Sequence, residues 1–321
     1  MLTLIIDGNN LAHRAKHVFN LSNNGKSVSV TYGFLHTLNS YLIKFKPTSV
    51  IVCWDGGSPS FRTKSVPEYK VSRDHGDQVE YADFLRQVQE LCDYAFPMMG
   101  VVSVRKIRAE ADDLMYHASR IVVGNKIIIT SDKDLFQALN DDTRVYNPAR
   151  DKIYNVSMFE EEYGIPIEKY IDWRALIGDS SDNIPGVHGI GEKTATKLFI
   201  AYKELTNIVN AALGHYPDRD TIMSDKVKSA VLAFGFDKIV KNVYTMALYA
   251  DRVGARKCVT DGILDYNPAD KKRVKMYLMR QAFVSLLDGM PALLSTLAQP
   301  TLYDTASYRQ PIVCEYRRPL V

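Results

Sequence analysis

Nine carboxylates have types and spacings that could do chemistry: Asp7, Asp55, Glu110, Asp112, Asp113, Asp132, Asp134, Asp179 and Asp182. Three apolar runs end in aspartate: Leu4-Ile5-Ile6 runs into Asp7, Val52-Cys53-Trp54 into Asp55, and Ile128-Ile129-Thr130 into Ser131-Asp132-Lys133-Asp134. Glu110-Ala111-Asp112-Asp113 opens a helical pattern, and Gly178-Asp179-Ser180-Ser181-Asp182-Asn183 follows another. Any one of them has an ordinary use as a turn or N-cap residue. Gathered at one end of one sheet, they would repel one another unless cations held them. Oxygen donors without nearby His or Cys select a hard ion, Mg²⁺ or Mn²⁺ rather than Zn²⁺, and so many donors suit two ions. Two such ions are the usual apparatus for in-line attack of water on a phosphodiester. On an ideal helix Glu110 and Asp113 share a face, whereas Asp112 lies about 200° round from Glu110. All three can face one site only if Glu110 sits at or before the first turn, with Asp112 or Asp113 then an outer or water-mediated ligand.

The elements that must position these groups alternate in the first half of the chain. Residues 2–6, 49–54, 101–104 and 126–130 read as strands, and 10–18, 31–45, 83–94 and 111–122 as helices. Such alternation predicts an α/β domain with a mainly parallel sheet, whose ligands bind beyond the carboxyl ends of the strands. After Tyr154 strand signal vanishes and helical segments follow one another. With a boundary near 164–170, the expected organisation is a nuclease-type core over 1–168, a helical domain over 169–290 and a tail over 291–321.

Ile184-Pro185-Gly186-Val187-His188-Gly189-Ile190-Gly191-Glu192-Lys193-Thr194-Ala195 is the most specific stretch. It reads as a helix end, a tight G-x-x-G-x-G turn and a new helix whose N-terminus can offer N–H groups to a phosphate. No strand precedes it, as a dinucleotide fingerprint requires, and it lacks the G-K-[ST] adjacency of a Walker A loop. A helix-hairpin-helix that grips one DNA backbone without reading bases fits. Gly186, Gly189, Gly191, Lys193, Thr194 and Lys197 are its candidate DNA contacts. Residues 58–77 carry Arg62, Lys64, Lys70 and Arg73 with Phe61 and Tyr69 interleaved. They read either as an exposed basic loop or as a phosphate-facing one with stacking groups. His13 and His17 lie four apart but lack a third ligand, so they read as surface residues.

The 321 residues, 46% apolar, suit about two domains. No apolar run approaches the ~18 residues needed to cross a bilayer, and no charged secretory leader is visible. Cys53, Cys92, Cys258 and Cys314 are far apart, which argues against a disulfide framework and for a reducing, intracellular setting. Net charge is only +3, but with the nine carboxylates set aside 28 acidic residues face 40 basic ones. That excess of twelve would attract a polyanion.

Taken together, Ile6-Asp7-Gly8-Asn9-Asn10-Leu11, Trp54-Asp55-Gly56, Phe61-Arg62, Pro67-Glu68-Tyr69-Lys70 with Arg73, Glu110-Ala111-Asp112-Asp113, Thr130-Ser131-Asp132-Lys133-Asp134 and Gly178–Gly191 resemble the 5′-nuclease family. That family comprises flap endonucleases, bacteriophage 5′ to 3′ exonucleases and the N-terminal nuclease domain of bacterial DNA polymerase I. The match runs from Asp7 to about Leu287, and the chain looks most like the phage type. The resemblance implies a PIN-like α/β core with a helical arch over 61–92 and a helix-three-turn-helix domain. It implies two divalent ions, the first among Asp7, Asp55, Glu110 and Asp112, the second among Asp132, Asp134, Asp179 and Asp182, with Asp113 auxiliary. Mg²⁺ is the expected ion, Mn²⁺ a substitute, and K⁺ is expected at the glycine hairpin. Lys70 and Arg73 would contact the scissile phosphate as catalytic residues, Arg14 would lie near it, and Tyr69 could stack on a base. The implied activity is structure-selective 5′ cleavage of branched, nicked or 5′-flap DNA and of RNA-primed duplex during replication or repair. A cytoplasmic monomer that works with replication proteins and no membrane is expected. The alternative is a non-catalytic DNA-binding scaffold, though such a protein would gain nothing from nine clustered acids facing DNA. An RNA-processing nuclease fits the hairpin and arch less well. A haloacid-dehalogenase-type phosphatase would need D-x-D where Asp7-Gly8-Asn9 stands.

Overall fold

The computed structural model describes residues 1–71, 77–216 and 222–303. They form two units. The first comprises residues 1–58, 77–153 and 251–303. Its strands are β1 (Leu2–Asp7), β2 (Ser22–Asn23), β3 (Lys26–Ser27), β4 (Ser49–Trp54), β5 (Val102–Arg105), β6 (Asn125–Ile129), β7 (Thr143–Asn147) and β8 (Lys152–Tyr154). Six form one sheet in the order β5-β4-β1-β6-β7-β8. β1 pairs in parallel with β4 on one side and β6 on the other, with Asp7 opposite Cys53 and Ile6 opposite Ile129. β4 is buried along its whole length, as its unbroken apolar run requires in a sheet covered on both faces. The chain runs from β1 through β4 to β5 on one side and then crosses back to β6 on the other, so the topological switch point where such sheets open a ligand crevice lies between the carboxyl ends of β1 and β6.

Helices Gly8–Val18, Ser29–Phe45, Gln78–Glu90 and Ala111–Ile121 cover this sheet, as the apolar periodicity predicts. Phe34, Leu35, Leu38, Trp54, Phe84 and Phe96 belong to the core shared by the first three, while Ala111–Ile121 packs against β1, β4 and helix Ala255–Leu264. Three features were not read from the sequence. β7 (TRVYN) and β8 (KIY) carry no continuous apolar run to stand out, and the β2–β3 hairpin turns through Asn24 and Gly25, both at positive φ (50° and 76°). Asn-Gly is the preferred pair for a two-residue hairpin turn, so that signal was present. Third, 251–303 counts with the sheet-bearing unit, whereas the sequence reading groups 169–290 together. The reason is packing: helix Lys271–Arg280 buries Val274, Tyr277 and Leu278 in the first unit's core.

The second unit comprises residues 59–71, 154–216 and 222–250. Among its described residues it is helical, with Tyr170–Ile177, Glu192–Tyr202 and Phe236–Met246 around a core that includes Phe159, Tyr170 and Trp173. Asn242 locks it by donating from Nδ2 to the carbonyls of Ala175 (3.0 Å) and Pro185 (2.7 Å). No helix among the described residues is long and apolar enough to cross a membrane.

The stretch 61–92, expected as the arch, divides between the units. Helix Ser60–Ser65 belongs to the second, and Arg62, read as a loop cation, is 2% exposed with Nε donating to the Thr245 carbonyl at 3.0 Å. Helix Gln78–Glu90 packs in the first, burying Phe84 and Val88. The Gln87 side-chain carbonyl accepts from the N–H groups of Val30 and Thr31, tying this helix to the start of Ser29–Phe45.

Candidate metal and nucleic-acid site

In the first unit the strand register carries the acids together. Asp7 ends β1, Asp55 follows β4, and Asp132 lies three residues past β6. Asp7 is 9% exposed and doubly held: its Oδ1 accepts from the Asn10 N–H (2.9 Å) and its Oδ2 from the Thr130 hydroxyl (3.2 Å). Burial pushes its carboxyl up to about 7; the Asn10 N–H pulls the other way, Asp55 and Asp132 push it further up, and the Thr130 hydroxyl pulls it down. A carboxyl held in that state is stabilised by an added positive charge. Both neighbouring acids are therefore electrostatically close to Asp7, which spacing alone could not show.

Each neighbour is set in place by a backbone contact. The Asp55 N–H donates to Asn9 Oδ1 (3.0 Å), and its own Oδ1 accepts from the Ala111 N–H (2.8 Å). Asp132 donates its N–H to Thr130 Oγ1 (3.1 Å) and accepts the Asp134 N–H at Oδ1 (2.8 Å). Asn10 Nδ2 donates to Ser131 Oγ (2.7 Å), joining the turn after β1 to that after β6. Asn9, Asn10 and Thr130 are positioning residues whose role the sequence reading passed over, although all three stand inside motifs it quoted, Asp7-Gly8-Asn9-Asn10 and Thr130-Ser131-Asp132-Lys133-Asp134.

Glu110 is the N-cap of helix Ala111–Ile121, in extended conformation before the first turn, which meets the geometric condition for its facing the site. Asp113 closes a capping box by accepting the Glu110 N–H at 3.3 Å and is 3% exposed, so part of its capacity goes to the helix end. Asp112 is half-buried and close enough to add to the rise in the Cys53 thiol that burial causes. Arg14 is exposed on helix Gly8–Val18. His17 is exposed, and exposed His13 stacks on Phe84 at 4.4 Å, in keeping with a surface reading.

The second unit carries Asp179 and Asp182 in the turn after helix Tyr170–Ile177. Asp179 Oδ2 accepts from Arg174 Nη2 at 2.5 Å, and its Oδ1 from the N–H (2.9 Å) and hydroxyl (2.6 Å) of Ser181. Burial pushes its carboxyl up, yet these partners outweigh burial and hold it below the usual carboxylate range. Arg174 was missed by the sequence reading; only its spacing five residues before Asp179 hints at it. Lys70 Nζ lies 3.6 Å from Asp182 Oδ2, both side chains about nine-tenths buried. The Lys70 N–H donates to the Asp182 carbonyl (3.3 Å), and Asn183 Nδ2 to the Glu68 carbonyl (2.9 Å). Residues 66–71 are thus tied to the acidic turn. Tyr69, expected to stack on a base, has a buried ring (6% exposed) with Lys70 Nζ 4.9 Å from its centroid. Arg73 lies outside the described residues.

The glycine turn leads into a helix as the sequence suggests, but the expected helix end at Ile184 is not there: the preceding helix stops at Ile177, and Ile184 pairs with Asp179 in an isolated bridge. Helix Glu192–Tyr202 starts after Gly191 without a side-chain cap, and Gly189, Gly191, Lys193 and Lys197 are exposed, with Thr194 half-buried. Gly186 is required for close approach, since a Cβ there would sit 1.9 Å from the Ile177 carbonyl oxygen. Gly186→Ala should therefore destabilise this unit by roughly 1–3 kcal/mol, read as a lower thermal midpoint. An unchanged midpoint would show that the turn can open.

Comparison with known proteins agrees with this architecture. Residues 2–164 match the family described as 5′-3′ exonuclease, N-terminal resolvase-like domain, and residues 165–249 the 5′-3′ exonuclease, C-terminal SAM fold. The thermostable DNA polymerase I of Thermus aquaticus is 32% identical over 297 residues, 88% of this chain but 32% of that protein, so the chain spans about a third of it. The 5′-3′ exonuclease of Bacillus subtilis is 32% identical over 218 residues, 64% of this chain and 72% of that protein. In fold, the T5 D15 protein co-crystallised with metal ions aligns with a TM-score of 0.62 at 21% identity, covering 88% of this chain and all of that one. The catalytic core of Rad2 in complex with DNA substrate aligns with a TM-score of 0.54 at 18% identity, covering 91% and 92%. An acid-tipped parallel sheet followed by a glycine-turn helical unit, matched along both parts by one family, places the chain in the 5′-3′ exonuclease family.

Proposed function

We propose that the protein is a divalent-metal-dependent, structure-selective 5′ nuclease that hydrolyses phosphodiesters at 5′ flaps, nicks and RNA-primed ends. The observation that carries this reading is Asp7: a buried carboxyl pushed up to about 7 beside two further acids is costly for a protein that only binds DNA. The donor set fits a hard cation, being oxygen throughout with no His or Cys in it. Asp7, Asp55, Glu110 and Asp112 would hold one ion; Asp132, Asp134, Asp179 and Asp182 are assigned to the second, with Mg²⁺ the physiological ion and Mn²⁺ a substitute. Bound there, the ions would lower the pKa of a coordinated water and offset the charge building on the phosphate. The chain's own residues do the rest. Asn10 and Thr130 orient Asp7, Asn9 and the Ala111 N–H orient Asp55, and Lys70 with Arg73 neutralises the scissile phosphate. The N-terminus of Glu192–Tyr202, with Lys193, Thr194 and Lys197, holds a duplex backbone, and K⁺ would be held by carbonyl oxygens of the adjoining turn.

The test compares 5′-flap, nicked, gapped and end-blocked substrates with Mg²⁺ and with chelator. Cleavage confined to 5′ branch points and abolished by chelator is expected. Chelator-insensitive cleavage, or tight binding of flap DNA with no cleavage in Mg²⁺ or Mn²⁺, would leave the scaffold reading standing.

A further inference from the structure

Helix Lys271–Arg280 in the first unit carries a face that the nuclease reading does not use. Its inner side is fixed by buried Val274, Tyr277 and Leu278, and the Tyr277 hydroxyl donates to Glu90 Oε1 at 2.9 Å. Its outer side contains Lys271, Lys272, Arg273, Lys275 and Arg280, all exposed, and no acid. None of these five cations makes an ion pair among the described residues, although Lys16, Lys44, Arg86, Lys169 and Lys257 elsewhere on the chain do. In the middle of the same face stand Met276 and Met279, 59% and 66% exposed.

Helical geometry arranges these groups. At 100° per residue, Lys272, Met276 and Met279 occupy the centre of the solvent face, with Lys271 and Lys275 along one side and Arg273 and Arg280 along the other. Scattered exposed apolar side chains need no explanation, but two thioethers bracketed by five unpaired cations form a pattern with two complementary requirements. Phosphates would satisfy the cations and leave the methionines without a partner. An acidic peptide bearing apolar side chains satisfies both, and methionine is the side chain best able to adapt to such a guest.

We infer that this face docks a short acidic segment of a partner protein, one whose carboxylates are interspersed with large apolar side chains. The carboxylates pair with the flanking lysines and arginines, and the apolar groups cover Met276 and Met279. Charge supplies attraction at a distance, and the methionine strip supplies selectivity against plain polyanions.

The test uses two fluorescein-labelled synthetic peptides of equal negative charge, one with Leu and Phe among its Asp and Glu residues, the other with Ser in their place. The full chain should bind the apolar-bearing peptide at least about tenfold more tightly, and Met276→Ser/Met279→Ser should remove that preference. Lys272→Glu/Lys275→Glu should abolish binding of both peptides. In each variant Mg²⁺-dependent cleavage of a short flap substrate, which also shows that the variant is folded, should stay within about twofold of the parent. Equal binding of the two peptides, binding of neither, or a serine variant that still discriminates would each overturn the inference. So would a charge-reversed variant that keeps its peptide affinity but loses about tenfold in affinity for blunt duplex, which would make the face a phosphate site.

Discussion

Asp7→Asn is expected to make the metal-free protein more stable near pH 8 while slowing flap cleavage by roughly 10²–10³-fold. The two effects have one cause. In the folded chain the Asp7 carboxyl sits at about 7 against an ordinary value of 3.8, so the fold binds this proton more tightly than the unfolded chain does. Stability contributed by a raised acid is present at low pH and declines as pH climbs through the interval from about 4 to about 7. Above that interval the ionised group costs roughly 4 kcal/mol relative to acid conditions, a shift of about three pK units. Asparagine keeps the geometry, since its carbonyl can still accept from the Asn10 N–H and its amide can donate to the Thr130 hydroxyl. It removes the charge, and with it the reason to recruit a cation.

Calorimetry in chelator, near pH 5 and near pH 8, separates these contributions. The parent should lose stability between the two values through this group and regain it at the higher pH when Mg²⁺ is added. Asp7→Asn should be flatter with pH and respond less to Mg²⁺. A variant less stable than the parent near pH 8 without cations would mean that the carboxylate is already well compensated, and the electrostatic basis of the proposed site would fall.

The fold was legible where the pattern was long and the environment simple. β1, β4 and β6 carry buried, mostly apolar runs that lead into acids, and the helices between them show apolar periodicity. Thr143–Asn147 and Lys152–Tyr154, TRVYN and KIY, are broken by polar and charged residues, so no apolar run registers there. The placement of 251–303 could not be read either, because Val274, Tyr277 and Leu278 mark a buried face without saying which core it joins. At the site, Asp7 and Asp55 follow from strand ends, and the Glu110 condition followed from helix geometry. What stayed hidden were the orienting hydrogen bonds of Asn9, Thr130 and Arg174 and the burial of Arg62 and Tyr69. A cation or aromatic in an aperiodic stretch looks the same whether it faces solvent or a neighbouring helix.

Lys70 shows how this hidden layer bears on the chemistry. Its backbone is left-handed, with φ of 56°, a conformation costly for a residue with a Cβ, and it is retained where hydrogen bonds over-determine it. Here its N–H donates to the Asp182 carbonyl and its ammonium lies 3.6 Å from the Asp182 carboxylate. Asp182 is also a proposed ligand, so a divalent ion bound there would compete with the Lys70 ammonium for the same oxygens. Ion uptake by Asp182 would weaken the pair and release Lys70 toward a phosphate, coupling the availability of the cationic side chain to metal loading. Lys70→Ala should therefore slow single-turnover cleavage by roughly 10²-fold, change flap affinity by less than about threefold, and lower the Mg²⁺ concentration that half-saturates the DNA-free protein. The last effect has the opposite sign to simple damage, because the variant removes a competitor. Should half-saturation rise, or binding and chemistry decline together, Lys70 would be acting as a strut for residues 66–71 rather than as a charge handed from carboxylate to phosphate.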